Sequence, residues 1–140
     1  MLLDCYATDP MGGGTPLSTE VRESLVMELA KLPHAFSVIA YVNDKPAGLV
    51  NCFEGFSTFS CKPLINIHDV VVLREYRGHG ISQKMLAKVE EIAKEQNCCK
   101  ITLEVLSNND AAKAAYEKFG FSAYELTPAA GTAMFWQKKL

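Results

Sequence analysis

A chain of 140 residues with 49% hydrophobic side chains has the length of one domain and enough apolar material for one core. A formal charge of −2 excludes the broad basic surface that nucleic-acid binding uses; no run is long enough to span a bilayer, and Met1-Leu2-Leu3 lacks the basic start of a signal peptide. Five cysteines, Cys5, Cys52, Cys61, Cys98 and Cys99, are an odd set without zinc-ligand spacing, so free thiols in a reduced, cytoplasmic compartment and no metal are expected.

Leu2 to Ala7 reads as a short first strand, and Gly12-Gly13-Gly14 as a flexible turn. Ser18 or Thr19 caps a helix whose apolar positions Val21, Leu25, Leu29 and Leu32 share one stripe, ended by Pro33. That stripe reads as plain core. Phe36 to Val42, the turn cluster Asn43-Asp44-Lys45-Pro46 and Ala47 to Phe53 form a hairpin. Glu54 then stands among Phe53, Phe56 and Phe59, for which two readings compete: packing, or an apolar approach to a substrate with Glu54 attracting its charge.

Leu64 to Leu73 is the central strand, because Val and Ile suit a pleated surface and the run is too short for a buried helix. Asn66, His68 and Asp69 interrupt it, and burying such groups without partners costs about 1–3 kcal/mol each. Strict alternation puts His68 on the face of Asn66 and Val70, and Asp69 on the face of Ile67 and Val71. The two are therefore expected to point apart. A basic, glycine-bearing turn follows, and then a helix with Ile81, Met85, Val89 and Ile92 on one stripe. Strand, turn and helix in that order present the free N–H groups of the helix start, aided by its dipole, to an anion beyond the strand. Gly78 and Gly80 allow a phosphate to approach the main chain, and Arg77 can add charge-assisted hydrogen bonds. The turn has neither the Gly-Lys-Ser/Thr of a P-loop nor a three-glycine dinucleotide fingerprint.

Lys100 to Ser107 is a second β-type run, parallel to the central strand because a helix makes the crossover. Asn108, Asn109 and Asp110 start a helix over Ala111 to Phe119 that Gly120 stops. Phe121 to Leu126 and Ala133 to Lys138 read as closing strands around Thr127 to Gly131.

The turn Arg77-Gly78-His79-Gly80-Ile81-Ser82 resembles the Arg/Gln-x-x-Gly-x-Gly/Ala signature of the GNAT superfamily of acetyl-CoA-dependent N-acetyltransferases, with Ser82 where Gly or Ala is usual. Asn109, Ala112, Tyr116, Gly120 and Phe121 resemble the Asn-x-x-Ala-x-x-x-Tyr-x-x-x-Gly-Phe segment of the same family, in matching order and separation. The stretch from Leu64 to Asp69 and the tail Thr132 to Leu140 are most similar to the polyamine and small-amine branch.

The resemblance implies an α/β GNAT (acyl-CoA N-acyltransferase) fold filling residues 1–140 as one domain. Its mixed central sheet would have about six to seven strands, flanked by helices, with splayed parallel central strands. It implies that acetyl-CoA lies in the wedge between those strands. The diphosphate would rest on the main chain of Arg77, Gly78, His79, Gly80, Ile81 and Ser82, the pantetheine arm on that of Val70, Val71 and Val72, with Asn109 beside it. It also implies a general acid, Tyr116, next to the sulfur; Asn109 as a mere helix cap and Tyr116 as packing are the structural alternatives. For the base, many relatives carry a glutamate where this chain has His68; imidazole titrates near neutrality, and Glu104 and Asp69 are further candidates. The implied reaction is acetyl transfer to a primary amine, of a small molecule, by direct attack in a ternary complex. The alternative is a non-catalytic acyl-CoA-binding or regulatory module. No nucleic-acid or membrane partner is implied, and a homodimer through the C-terminal strands is an option of the fold.

Overall fold

Leu2, Leu3 and Tyr6 recur at a spacing of one helical turn, and in the computed structural model, which describes residues 1–140, they fold as helix α1 (Leu2–Thr8). The expectation of a first strand is thus corrected. Leu2 is buried against Leu49 and Val71, with Leu3, Tyr6 and Leu73 packed around it. Asp4 adds a tertiary anchor, accepting a hydrogen bond from the Leu17 N–H at 2.9 Å and pairing with Arg22 at 3.7 Å. Side-chain packing of a helical stripe outweighs the weak alternation that suggested a strand.

Helix α2 (Thr19–Ala30) begins at Ser18, whose hydroxyl accepts from the Val21 N–H. None of its residues is buried, so the reading of its stripe as plain core is also corrected. Strands β1 (Ala35–Val42) and β2 (Lys45–Ser57) form the expected hairpin, in which Val42 pairs with Lys45. Asn43 and Asp44 both have positive φ, 48° and 61°, the geometry of the two-residue turn that matches strand twist.

Strand β3 (Lys62–Val72) pairs antiparallel with β2 and parallel with β4 (Ile101–Leu103), giving the sheet order β1-β2-β3-β4. Helix α3 (Ile81–Glu95) makes the crossover and buries Ile81, Met85, Leu86, Val89 and Ala93 against Val50, Cys52, Ile65 and Ile67. Helix α4 (Asp110–Phe119) packs on the same side, where Gln83 Nε2 donates to the Ala115 carbonyl at 2.8 Å and joins the two helices. Helices α1 and α2 cover the opposite face.

The mixed sheet has four strands, not six or seven. Phe121 to Leu126 and Ala133 to Lys138 are not strands: the region has a single bridge, Glu125 to Thr132, just ahead of the second segment, and a 3₁₀ turn at Pro128–Ala130 within it. The physical reason is the absence of an apolar bed, for Leu126, Met134, Phe135 and Trp136 are all exposed. A strand gains stability from cross-strand and face packing rather than from its own propensity.

Candidate active site

The site is built where β3 and β4 part. They pair over Ile65 to Ile67 and Ile101 to Leu103, and the Asn66 amide donates to Thr102 Oγ1 at 3.0 Å across the middle rung. Beyond Ile67, β3 runs on to Val72 while β4 has ended, so the pairing of the two strands stops there. Leu73 N–H donates to Ala47 O, which sets the phase of the antiparallel ladder: Val71 pairs with β2 across Leu49, and the main-chain groups of Val70 and Val72 face the gap. Of the three consecutive valines proposed to line a cofactor with their backbone, Val71 is therefore taken up by the sheet.

At the point of divergence β3 contains a bulge. Asn51 pairs with Asp69 and Cys52 with Ile67, leaving His68 as the extra residue. The cores show its effect. Ile65 and Ile67 face α3 before the bulge, whereas Val70 and Val72 face it afterwards and Val71 packs under α1. His68 and Asp69 thus both project on the α1/α2 face, and the expectation that they point apart is corrected. The exposed His68 ring packs edge-on against Phe53 at 5.5 Å, while Asp69 accepts from the Asn51 amide at 3.0 Å. Asn51 in turn accepts from Ser37 Oγ at 2.7 Å, so one polar chain crosses β1, β2 and β3. Glu54 follows Phe53 on the other face and raises the pKa of Cys98 there, after burial of that thiol. It has no place beside His68.

Both glycines of the turn before α3 use their conformational freedom. Gly78 and Gly80 have φ of 80° and 75°, and Gly80 is the N-cap of α3. The N–H groups from Gly78 through Gln83 donate to no group of the chain, while that of Arg77 closes a turn onto Arg74. A Cβ on either glycine would meet nothing within 4 Å, so the turn lies open to an approaching group. The Arg77 side chain does not reach over it. Its Nε donates to the Val72 carbonyl at 3.0 Å and its guanidinium pairs with Asp9 at 3.5 Å, tying the end of β3 to the end of α1. His79 Nδ1 lies 2.9 Å from the Arg77 carbonyl and braces the turn from within. Ser82 occupies the first turn of α3.

Tyr116, on α4, is packed against the main core and lies edge-on to Phe121 at 6.0 Å. Burial pushes its phenol up to about 12, and the Tyr6 phenol adds a smaller push. Tyr6 is itself raised by burial, then by Asp69 and Asp9. Tyr6, on α1, is thus the group whose field reaches Tyr116, and it is itself raised by Asp69. Asn109 Oδ1 accepts from the Ala112 N–H at 3.3 Å, which makes it the N-cap of α4. Glu104 is exposed, one residue past the end of β4.

Tyr6 and Asn51 were missed in the sequence. Tyr6 was hidden by the strand reading of its segment, and helical spacing from Leu2 was the signal. Asn51 stands in the apolar run Ala47 to Phe53, and the same argument from buried polar groups that singled out Asn66 and His68 applies to it. Beside Asn51 and Phe53, a cavity of about 520 Å³ opens between α1, α2 and the β1–β2 face.

The acetyltransferase (GNAT) family profile matches residues 5–121. The chain belongs to this family. Among relatives of this GNAT chain, thialysine N-epsilon-acetyltransferase of Bos taurus is 39% identical over 71 residues, 51% of this chain and 41% of that protein. N-alpha-acetyltransferase 30 of Schizosaccharomyces pombe is 31% identical over 91 residues, covering 64% and 59% respectively. The matched stretch thus spans about two fifths to three fifths of these relatives' own length. In fold, the GNAT chain is similar to an aminoglycoside acetyltransferase from an uncultured soil metagenomic sample, in complex with trehalose (TM-score 0.75, 17% identity, 99% of this chain and 87% of that one). It is also similar to AAC(6')-Iy in complex with the bisubstrate analog CoA-S-monomethyl-acetylneamine (TM-score 0.72, 16% identity, 88% and 82%).

Proposed function

We propose that this GNAT chain transfers an acetyl group from acetyl-CoA to a primary amine of a small molecule, by direct attack in a ternary complex. The observation that carries the reading is a conjunction. It joins six amides, from Gly78 to Gln83, that donate to no group of the chain, the main-chain groups of Val70 that face away from β2, and a phenol kept protonated by burial. The family membership supports it.

Acetyl-CoA supplies an acetyl group activated as a thioester. The amides of Gly78 to Ser82 would hold its diphosphate, with the α3 dipole adding positive potential. Arg77 contributes its place in the turn while its side chain anchors Val72 and Asp9. Val70 N–H, facing the gap, is a donor for a pantetheine or thioester carbonyl oxygen. Tyr116 keeps its proton at neutral pH and can give it to a departing sulfur. His68 takes the proton from the amine, directly or through a water, and Glu104 is the second candidate for that task. Asn109 caps the helix that carries Tyr116 and has its amide nitrogen free to meet the cofactor arm.

Thiol release should require both acetyl-CoA and an amine, and Tyr116→Phe should lower kcat by about 10²–10³ with little change in KM for acetyl-CoA. Saturable binding of coenzyme A without turnover of any amine would instead establish a non-catalytic acyl-CoA-binding module.

A further inference from the structure

Helix α2 contributes Leu25 and Leu29 to the wall facing the β1–β2 hairpin, yet none of its residues is buried, so the chain itself leaves the space beside this helix unfilled. That space is the cavity of about 520 Å³, and fifteen of its twenty lining residues are hydrophobic. Its shape follows from where the lining stands in the sheet. The walls run from the pair Ala35–Phe53 to the pair Tyr41–Pro46, six residues along the hairpin and so about 20 Å. About 520 Å³ spread over that length leaves a section about 5 Å across, the width of one extended hydrocarbon chain in van der Waals contact with its walls.

The polar side chains of this channel have their partners already. Asp4 accepts from the Leu17 N–H and pairs with Arg22, while Ser37 donates to Asn51, which donates in turn to Asp69 outside the lining. A charge or a hydroxyl carried inside would lose its water and gain no partner. A hydrocarbon chain loses nothing of the kind, and it gives Leu25, Leu29, Ile39 and Leu49 the dispersion contacts that a void denies them. Tyr41, at the turn end, is 61% exposed, so a head group placed there stays in water. No lining residue comes from β3, β4, α3 or α4, the elements that carry His68, the glycine turn and Tyr116. The channel is therefore separate from the site of acetyl transfer.

Going beyond the reaction proposed above, we propose that the channel between α2 and the β1–β2 hairpin is a second binding site, for one unbranched alkyl chain whose polar head stays at the Tyr41 end. An extended chain advances about 1.25 Å per carbon, so one of about ten carbons reaches about 12 Å into it. Such a chain touches helix and hairpin at once and fixes α2 on the sheet.

The test is calorimetric titration of the whole protein with straight-chain alcohols. Decanol should bind saturably, one per chain, and raise the midpoint of thermal unfolding. Affinity should rise about fourfold per added methylene from hexanol to decanol, and adamantanol, a compact alcohol of the same carbon number, should bind at least about tenfold more weakly than decanol. Leu29→Asn should weaken decanol at least about tenfold and leave thiol release from acetyl-CoA with an amine unchanged. Ile39→Asn, on the β1 wall, serves should the first variant misfold. Equal binding of the two ten-carbon alcohols, or decanol binding indifferent to both substitutions, overturns the proposal. So does a dimer whose formation excludes decanol, because a second copy then fills the channel. Loss of thiol release in Leu29→Asn would assign the channel to the acceptor and overturn its separateness. Decanol bound as described in a protein that acetylates no amine upholds this site and removes only the reaction.

Discussion

Tyr116 and Cys52 show what burial does to single groups. Both have pKa values pushed up to about 12, from ordinary values of 10.0 and 9.0, Cys52 by desolvation alone and Tyr116 by desolvation and then Tyr6. In each case folding favours the neutral, protonated form. The stability this contributes is complete below the unfolded-state pKa and is lost as pH rises through the folded one. Denaturation midpoints should therefore fall from about pH 9 to 12, and Tyr116→Phe should flatten the part of that fall above pH 10. The same protonated, buried state makes Cys52 inert: in the native protein, Cys5, Cys61 and Cys99 are exposed and should be alkylated first, with Cys52 modified only at the rate of unfolding. Mass mapping of a time course checks this.

At the scale of elements, the bulge in β3 does more than any helix to define the site. His68 is the inserted residue, and it reverses which side chains face α3 from that point onward. Deleting it would leave Ile67 and Asp69 in adjacent, regularly paired positions, on the faces that they already occupy. The deletion variant should thus keep its circular dichroism spectrum and its affinity for coenzyme A, yet lose at least about tenfold in turnover if His68 takes the amine proton. A variant that unfolds would show that the bulge is needed for packing. Full turnover would move the proton acceptor to Glu104 or a water relay. The linkage of α3 to α4 through Gln83 and Ala115 couples the two halves of the site, joining the glycine turn to the helix of Tyr116.

For the molecule as a whole, the sheet separates two jobs. Its α3 face holds the main core, and its α1/α2 face holds the polar chain Ser37–Asn51–Asp69 and the open cavity. Beyond α4, residues 122–140 add little to either, and the lone tryptophan, Trp136, is 79% exposed. Its emission should be red-shifted and strongly quenched by iodide, and truncation after Ala123 should leave the midpoint of cooperative unfolding within a few degrees. A blue-shifted, protected Trp136 at high protein concentration would show that the tail packs against a second copy.

The sequence alone determined the features that rest on local physics: the hairpin at Asn43-Asp44, the amphipathic α3, the glycine turn before it, the parallel β3–β4 crossover and the helix carrying Tyr116. Each depends on a periodicity or a turn chemistry that neighbouring residues suffice to specify. Tertiary structure decided the rest. Whether Leu2 to Ala7 coils or extends depended on the bed that Leu49 and Val71 offer, and whether the tail forms strands depended on an apolar surface that it does not find. The meeting of His68 with Asp69 depended on one residue of slippage between β2 and β3. Register is a relation between two strands, so no reading of either one could contain it.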